Sequence, residues 1–342
     1  MLTPLAHEAP AWAAYAPHTP HAPHAPPLIR DPAMPLVTVV TPSYNQGRFI
    51  GDTLASVLGQ NYPNIEYLVV DGGSSDETLA VLRRFAGDPR MRWVSERDRG
   101  QSDAINKGWA SAHGQILAWL NSDDTYLPGA IARQVAALGA HPAAGAVYAD
   151  ALYTDAAGRP RTRLAGRPFS PLAVLRLELP AQPTVFLRRA IVAQVGPLNL
   201  ARRYSMDSDY WARAMLLAPF AQTHADVATY RLHADSKTVA QPTGFYAEWL
   251  AIAEGFFAAP GTPPELRAAR RAVLADIYAA MANLEAAGGK PRTALRYLVY
   301  ALGLAGLRPR MLKLPLALLD RALPLGLAAR ATALWGRRRR GG

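Results

Sequence analysis

The 342-residue sequence contains no cysteine. Disulfides, thiolate metal sites and a cysteine nucleophile are therefore excluded, and the composition suits a reducing compartment. Half of the residues are hydrophobic, enough for a sizeable core. Yet no apolar run reaches the roughly eighteen residues that a membrane-spanning helix needs. The N-terminus also lacks the basic region and apolar core of a secretory leader. Neither a GxxxxGK[ST] loop nor a GxGxxG fingerprint occurs, which argues against a P-loop enzyme and a dinucleotide dehydrogenase. Acids are nearly missing from one region. Between Arg292 and Gly342, Asp320 stands alone against eleven of the 37 Lys and Arg. The net charge of +11 is thus a property of this tail. The rest of the chain is close to neutral and gives no sign of a nucleic-acid partner.

Composition divides the chain into four parts. Residues 1–34 are dense in Pro, Ala and His, which prevents a helix or a central strand. His18, His21 and His24 are spaced by three; a solvated leader explains them as well as a metal does. In residues 35–240, strand-like runs alternate with helical spacing: LVTVV, Phe49 to Gln60, IEYLVV, Asp76 to Phe85, MRWVS, Gln101 to Ser111, QILAWL, Pro128 to Leu138 and AGAVYAD. Such alternation predicts an α/β fold with a mostly parallel central sheet flanked by helices. Ala151 to Leu179 has no clear period. PTVFL and VATYRLH follow as strands, with a helix from Ser208 to Leu217 between them. Residues 241–310 form a C-terminal helical extension, with helices over Pro264 to Gly288 and Pro291 to Gly306 separated by Gly-Gly-Lys. Residues 311–342 are apolar with scattered arginines. They suit either a membrane interface, with Arg at the headgroups, or a helix packed on the main domain.

Three polar clusters each follow a predicted strand: TPSYNQG, DGGSSD and NSDD. In open parallel sheets ligands bind beyond the carboxyl ends of strands, so the clusters converge on one crevice. Thr41, Ser43, Tyr44 and Asn45 offer hydroxyl and amide groups. Asp71 can accept from a base N–H or a ribose hydroxyl, and Gly72 and Gly73 allow close backbone approach. Asp123 and Asp124 are hard oxygen ligands suited to Mn²⁺ or Mg²⁺. A cation held by few carboxylates completes its shell with phosphate oxygens and water. The residues therefore predict a nucleoside diphosphate bound through a metal.

The segments TPSYNQGRFIGDTLASVLGQNYPNIEYLVVDGGSSDET, SERDRGQSDAINKG and LAWLNSDDTYLPGA resemble those of family 2 glycosyltransferases of the GT-A fold. The resemblance runs from about Pro35 to Lys237. It implies transfer of a sugar from a nucleotide-sugar to an acceptor hydroxyl, usually with inversion. By position it implies that Pro42, Ser43, Tyr44, Asn45 and Asp71 line the nucleoside pocket. Asp103, Asn106 and Lys107 then lie near the diphosphate and donor sugar, and Asp123 with Asp124 forms the metal-binding acidic motif. Asn121 stands where many members have a first Asp, so the motif has one carboxylate fewer. The resemblance also places a general base at the start of a helix in SMDSDYWARA, with Asp207 the better match and Asp209 the second candidate. An N-cap role explains one of these acids but not both. His233 is expected to reach the metal or the diphosphate, or to be structural. Gln182 and Pro183 shape the acceptor side or pack the core. Arg97 and Arg99 flank Asp98 in a loop that meets phosphate or solvent. Trp93, Trp119 and Trp211 read as core or pocket wall.

The implied partners are a nucleotide-sugar donor, with UDP-sugars favoured, and a saccharide or lipid-linked acceptor. Peripheral membrane contact through the basic tail, at the inner face of the membrane of a cytoplasmic enzyme, would suit surface polysaccharide or glycolipid assembly. Two rivals stand. A metal-dependent nucleotidyltransferase needs similar acids, but TPSYNQG occupies the place of its triphosphate loop. A non-catalytic scaffold keeping the GT-A fold would need none of the acids retained here.

Overall fold

The computed structural model describes residues 31–176, 178–237 and 242–305. His18, His21, His24 and the basic stretch 311–342 lie outside the described residues. The chain divides into two compact units at residue 240.

The first unit is built on a nine-stranded sheet. Strand β1 (Val37–Ser43) pairs in parallel with β2 (Ile65–Asp71). Beyond β2 lies β3 (Met91–Ser95), also parallel. On the other side of β1 lies β4 (Ile116–Trp119), again parallel. Every residue of β1, β2 and β4 is buried, as continuous apolar runs covered on both faces require. The crossovers are α1 (Ile50–Leu58), α2 (Thr78–Phe85) and α3 (Gln101–Ala110). Helix α1 turns Ile50, Leu54 and Val57 onto Val37, Val39, Tyr67 and Val69 of the sheet in one continuous core. Helix α3 sits close to β1, because a Cβ on Gly108 would lie 2.4 Å from Val40 Cγ1.

Beyond β4 the sheet is mixed. Chain order continues with β5 (Thr125–Tyr126), α4 (Ala130–Ala140), β6 (Ala146–Thr154), β7 (Pro160–Leu164), α5 (Pro171–Leu175), β8 (Phe186–Arg188), α6 (Arg189–Val195), α7 (Met206–Ala214) and β9 (Phe220–Arg231). The spatial order is β3-β2-β1-β4-β8-β6-β9-β5, with β7 paired to β6. Strand β8 runs antiparallel to β4 and β6, β9 parallel to β6, and β5 antiparallel to β9. The hairpin of β6 and β7 falls in the stretch without a clear period. Its second strand has no buried residue to impose alternation. Helix α7 begins at Met206, not Ser208, so both candidate acids lie inside its first turn.

The second unit contains α8 (Pro242–Ala258), α9 (Pro264–Arg267), α10 (Arg270–Ala287) and α11 (Pro291–Ala305). The single helix expected from Pro264 to Gly288 is therefore interrupted after Arg267. Helices α10 and α11 form an antiparallel hairpin. Arg271, at the start of α10, donates to the Leu304 carbonyl near the end of α11 at 2.9 Å. Ala275, Ala279 and Ala301 form one patch of the contact between them, Ala282 and Leu298 another.

At the amino end of the parallel strands, Glu66 forms a buried polar knot. One of its oxygens accepts from Arg92 Nη2 at 2.6 Å and His113 Nδ1 at 2.7 Å. The other accepts from Thr38 Oγ1 at 2.6 Å and the His113 amide at 2.7 Å. An ionised carboxylate only accepts, so Nδ1 carries the imidazole proton. Burial pushes the Glu66 carboxyl up, but these donors outweigh it and bring it down to about 2. The folded value lies below the ordinary 4.5. The knot's pH-dependent stabilisation is therefore complete above that value and lost as pH falls through about 2. Glu66→Gln is expected to lower unfolding stability by about 2 kcal/mol at neutral pH. Urea titrations should show the gap between the two proteins closing as the pH approaches 2.

Candidate active site

The carboxyl ends of β1, β2 and β3 are level, since Ser43 pairs with Asp71 and Asp71 with Ser95. The loops that leave them are laced into one wall. Asn45 adopts a left-handed φ of 51°, which an asparagine tolerates better than most residues. Its amide donates to Ser74 Oγ at 2.7 Å and its Oδ1 accepts from the Ser75 amide at 2.9 Å. The Gln46 and Gly47 amides donate to Thr78 Oγ1 and Asp76 Oδ2, each at 2.9 Å. A Cβ on Gly47 would lie 2.9 Å from the Thr78 nitrogen, so the close contact requires glycine.

Asp71 is fully buried. Its Oδ2 accepts from the amides of Gly73 (3.1 Å) and Ser74 (2.9 Å) and from Ser95 Oγ (2.6 Å). Its Oδ1 accepts from Ser74 Oγ. Three donors crowd Oδ2 and one holds Oδ1, so Asp71 organises the DGGSS loop and Oδ1 keeps an acceptor position. Tyr44 is 61% exposed at the mouth, whereas the buried Ser43 Oγ has no partner. Pro42, the residue before it, is buried in β1. Asp98 lies against the Gly72 backbone, where a Cβ would be 2.7 Å from its Oδ2. Burial pushes the Asp98 carboxyl up.

Helix α3 contributes a second set. Asp103 accepts from Arg99 Nη2 at 2.8 Å and from the Arg99 amide at 3.1 Å. The Arg99 hydrogen bond holds its carboxyl below the ordinary value. Lys107 Nζ donates to Glu96 Oε1 at 2.7 Å and lies 3.7 Å from Asp103 Oδ2. The Glu96 bond is the main reason that its ammonium is held above the usual value. Asn106 turns elsewhere. Its Nδ2 donates to the Leu198 carbonyl at 2.9 Å and its Oδ1 accepts from the Leu198 amide at 2.8 Å. Asn106 thus clamps α3 to the segment that leads into α7.

The acidic motif divides its labour. Asp124 is buried, and its Oδ1 accepts from the Arg231 amide at 2.9 Å. Asn121 Nδ2 is 3.5 Å from the other oxygen. Burial and the neighbouring Asp123 push the Asp124 carboxyl well up. Asp123 faces His233, with Oδ2 and Nε2 3.1 Å apart. The His233 ring rests on Phe49 at 4.5 Å between centroids, and the Arg231 guanidinium lies over the same Phe49 ring at 5.0 Å. Arg231 is held in turn by Asp52 at 2.8 Å.

Among the described residues no three His, Cys, Asp or Glu side chains converge as a metal cage. The Asp123–His233 pair nevertheless fits a divalent cation. Two adjacent ligands of an octahedral ion with bonds of about 2.1 Å stand about 3 Å apart. Nε2 is the nitrogen of His233 turned to Asp123, and Nδ1 lies 4.0 Å from Asp235 Oδ2. Asp124, turned to Arg231, supports the pair from behind.

The first turn of α7 separates the two remaining acids. Asp209 is committed to Arg213, 3.0 Å from its Oδ2, with Arg202 at 3.8 Å from Oδ1. Asp207 is half-buried, and among the described residues its Oδ1 accepts from the Ser208 amide (2.7 Å) and hydroxyl (3.3 Å). Its burial pushes the carboxyl up. Among the described residues no donor is bonded to its Oδ2.

Two residues of this region went unread in the sequence. Lys237 Nζ donates to Gln101 Oε1 at 2.8 Å, and Gln101 Nε2 donates to Asn121 Oδ1 at 2.7 Å. This relay explains how an asparagine serves at position 121. It accepts from Gln101 on one side and faces Asp124 with its N–H on the other. Gln101 directly follows the DRG turn, which was its one available signal. Gln182 Nε2 donates to the Trp119 carbonyl at 2.9 Å, and Pro183 is buried beside it. Trp119 stacks on Trp211 at 4.9 Å. These two tryptophans are core, and Trp93 packs at its margin.

The chain is similar to known proteins in sequence and in fold. The model of the family described as "Glycosyl transferase family 2" matches residues 38–182. The PGL/p-HBAD biosynthesis glycosyltransferase of Mycobacterium bovis is 31% identical over 181 residues, covering 52% of this chain and 69% of that protein. Among solved structures, S. aureus TarS 1–349 in complex with UDP-GlcNAc aligns with a TM-score of 0.62 at 18% identity, covering 86% of this chain and 89% of that one. The chain spans 54% of the longer TarS structure. Mannosyltransferase PcManGT from Pyrobaculum calidifontis, in complex with GDP-Man and Mn²⁺, aligns with a TM-score of 0.60 at 21% identity, covering 92% and 85%. At such identities these structures establish a shared fold.

The two acids of α7 should separate in stability measurements. Asp209→Asn loses its ion pairs and is expected to destabilise by about 1–2 kcal/mol at pH 7. Asp207→Asn removes a charge that burial disfavours, so it should be neutral or stabilising. Because the folded carboxyl titrates above 3.8, the Asp207 charge costs stability as pH rises past that value. Chemical denaturation of the two variants on either side of that range checks both signs.

Proposed function

Because this chain belongs to glycosyl transferase family 2, we propose that it moves a sugar from a nucleoside-diphosphate donor to an acceptor hydroxyl with inversion. The observation that carries this reading is the pairing of Asp123 with His233 in a unit where, among the described residues, one oxygen of Asp207 has no hydrogen-bond donor. The first pair suits a cation on a diphosphate, and the second group suits a base. The neighbouring structures with UDP-GlcNAc and with GDP-Man and Mn²⁺ support a nucleotide-sugar donor and a divalent ion. A UDP-sugar is the favoured donor.

In this mechanism the wall of Pro42, Ser43, Tyr44, Asn45 and Asp71 holds the nucleoside. Tyr44 offers an exposed ring face, and Ser43 Oγ a hydroxyl without a partner. Lys107 and Arg99 bring positive charge towards the donor, each restrained by Asp103. Asp123 and His233 would hold Mn²⁺ or Mg²⁺, which when bound neutralises charge developing on the leaving diphosphate. Asp207 Oδ2 accepts the acceptor hydroxyl proton as that oxygen attacks the anomeric carbon. The bond from the anomeric carbon to the phosphate oxygen breaks, and its electron pair leaves with the nucleoside diphosphate. A carboxyl raised by burial is a stronger base than an ordinary aspartate, which suits it to take that proton.

The acceptor is a saccharide or a lipid-linked saccharide, as in surface polysaccharide or glycolipid assembly. The mycobacterial relative, named for PGL/p-HBAD biosynthesis, supports the glycolipid side of this choice. No helix among the described residues is long and apolar enough to cross a membrane. A cytoplasmic place at the inner face of the membrane suits the cysteine-free sequence. The nucleotidyltransferase reading loses its footing, since the matched family transfers glycosyl groups. The scaffold reading does not account for retention of Asp123, Asp207 and His233 in working geometry.

Thermal unfolding with UDP-, GDP- and dTDP-sugars, with and without Mn²⁺, tests the donor. One nucleotide should raise the melting temperature in a metal-dependent way, by about 2.7 kcal/mol of stabilisation at a hundredfold excess over Kd. Asp123→Ala should erase the metal-dependent part. Asp207→Asn should keep the shift and lower transfer by roughly 10²- to 10⁴-fold. Near-normal transfer by that variant would remove Asp207 from its role.

A further inference from the structure

Helix α11 leaves an apolar face uncovered. Its buried residues, Ala294, Leu298 and Ala301, lie on one side. Leu295 is 57% exposed, Val299 58% and Tyr300 51%. The described residues contain six large hydrophobic side chains exposed to this degree, and three are on this fifteen-residue helix. The other three, Tyr44, Val94 and Leu217, are scattered over the first unit. Arg292 and Arg296 are exposed as well. At about 100° per residue, Leu295, Val299, Arg292, Arg296 and Tyr300 share one arc of roughly 140°. No acidic residue occurs from Pro291 to Leu319, and residues 306–342 carry nine Lys and Arg against Asp320 alone.

We propose that the Leu295–Val299 edge of α11 docks on an anionic lipid surface, with Arg292 and Arg296 beside it at the level of the headgroups and Tyr300, packed towards Tyr278 at 5.4 Å, beyond them. The argument rests on charge and on continuity. An apolar face needs an apolar cover, and a basic face needs negative charge. The sequence that follows adds nine Lys and Arg against Asp320 alone, so it brings more positive charge than negative to this face. A second copy of the same face fails for the same reason. A nucleic acid supplies charge but nothing for Leu295 and Val299 to bury into. An anionic membrane supplies both, since the apolar side chains enter the acyl boundary while the Arg stems snorkel to the phosphates. A single weak signal gives only marginal attachment, and here the basic sequence after α11 provides the second. The proposal concerns the second unit and does not depend on the transfer reaction.

The test is sedimentation of the full chain with vesicles of phosphatidylcholine alone or mixed with phosphatidylglycerol, at low and high salt. The protein should bind the mixed vesicles and be released by salt. The double variant Leu295→Asp, Val299→Asp changes exposed positions only. It should keep its helical content and its nucleotide-sugar thermal shift, while its partition falls about tenfold or more. Arg292→Gln with Arg296→Gln should cost about thirtyfold, at roughly 1 kcal/mol for each of the two charges lost. Absence of binding by the unaltered chain overturns the proposal. So does unchanged partition of both double variants, which would leave attachment to residues 306–342 alone. A shift of oligomeric state in the Leu295 and Val299 variant, read by analytical ultracentrifugation, would assign the face to a second copy and overturn it too.

Discussion

One hydrogen bond, from the Arg231 amide to the buried Asp124 carboxylate, fixes the relation between two strand ends that are 107 residues apart. The sheet order puts β8, β6 and β9 between β4 and the short strand β5 that follows it. The chain leaves β4, turns through Asn121 to Asp124, and pairs at once with β9 through Thr125 and Thr229. Their hydroxyls meet at 2.7 Å. From that anchor the chain after β9 has only to run two residues past Arg231 for His233 to face Asp123. The adjacent carboxylates are thus different instruments. Asp124 is spent on architecture, where removing it would strand a buried amide, and Asp123 is left facing outward.

The opposite end of the parallel strands shows the same economy of means. Glu66 binds β1, β2, β3 and the turn after α3 into one polar knot. The ladder then rises through continuous apolar strands to Ser43, Asp71 and Ser95 at a common level. The loops above are joined chiefly by backbone amides donating to side chains. Such bonds hold a loop without demanding a bulky residue in it, which lets Asp98 lie directly against the Gly72 backbone.

The α/β class, the three loop clusters and the acids at their tips were legible in the sequence. Strand ends and polar residues follow one another there with a fixed period. The second half was less so. The pairing of β6 with β7 buries nothing on β7, so no alternation marks it. The antiparallel placement of β8 depends on partners far along the chain. The start of α7 was read two residues late because MDSD looks like a cap, whereas both of its acids are helical. The division of Asp123 from Asp124 and the tie between Asn106 and Leu198 are facts of three-dimensional neighbourhood. Local spacing has no access to them.

Asn106 sits on α3 with Asp103 and Lys107, and its amide meets both backbone groups of Leu198. Ser102, one turn earlier on the same helix, reaches Met206 at the head of α7. The side chain acts as a gauge block. It is read from both ends at once, so an acid in its place fails at the carbonyl and a longer amide fails on length. The span from α3 to the helix that carries Asp207 is thereby cut to a standard during folding.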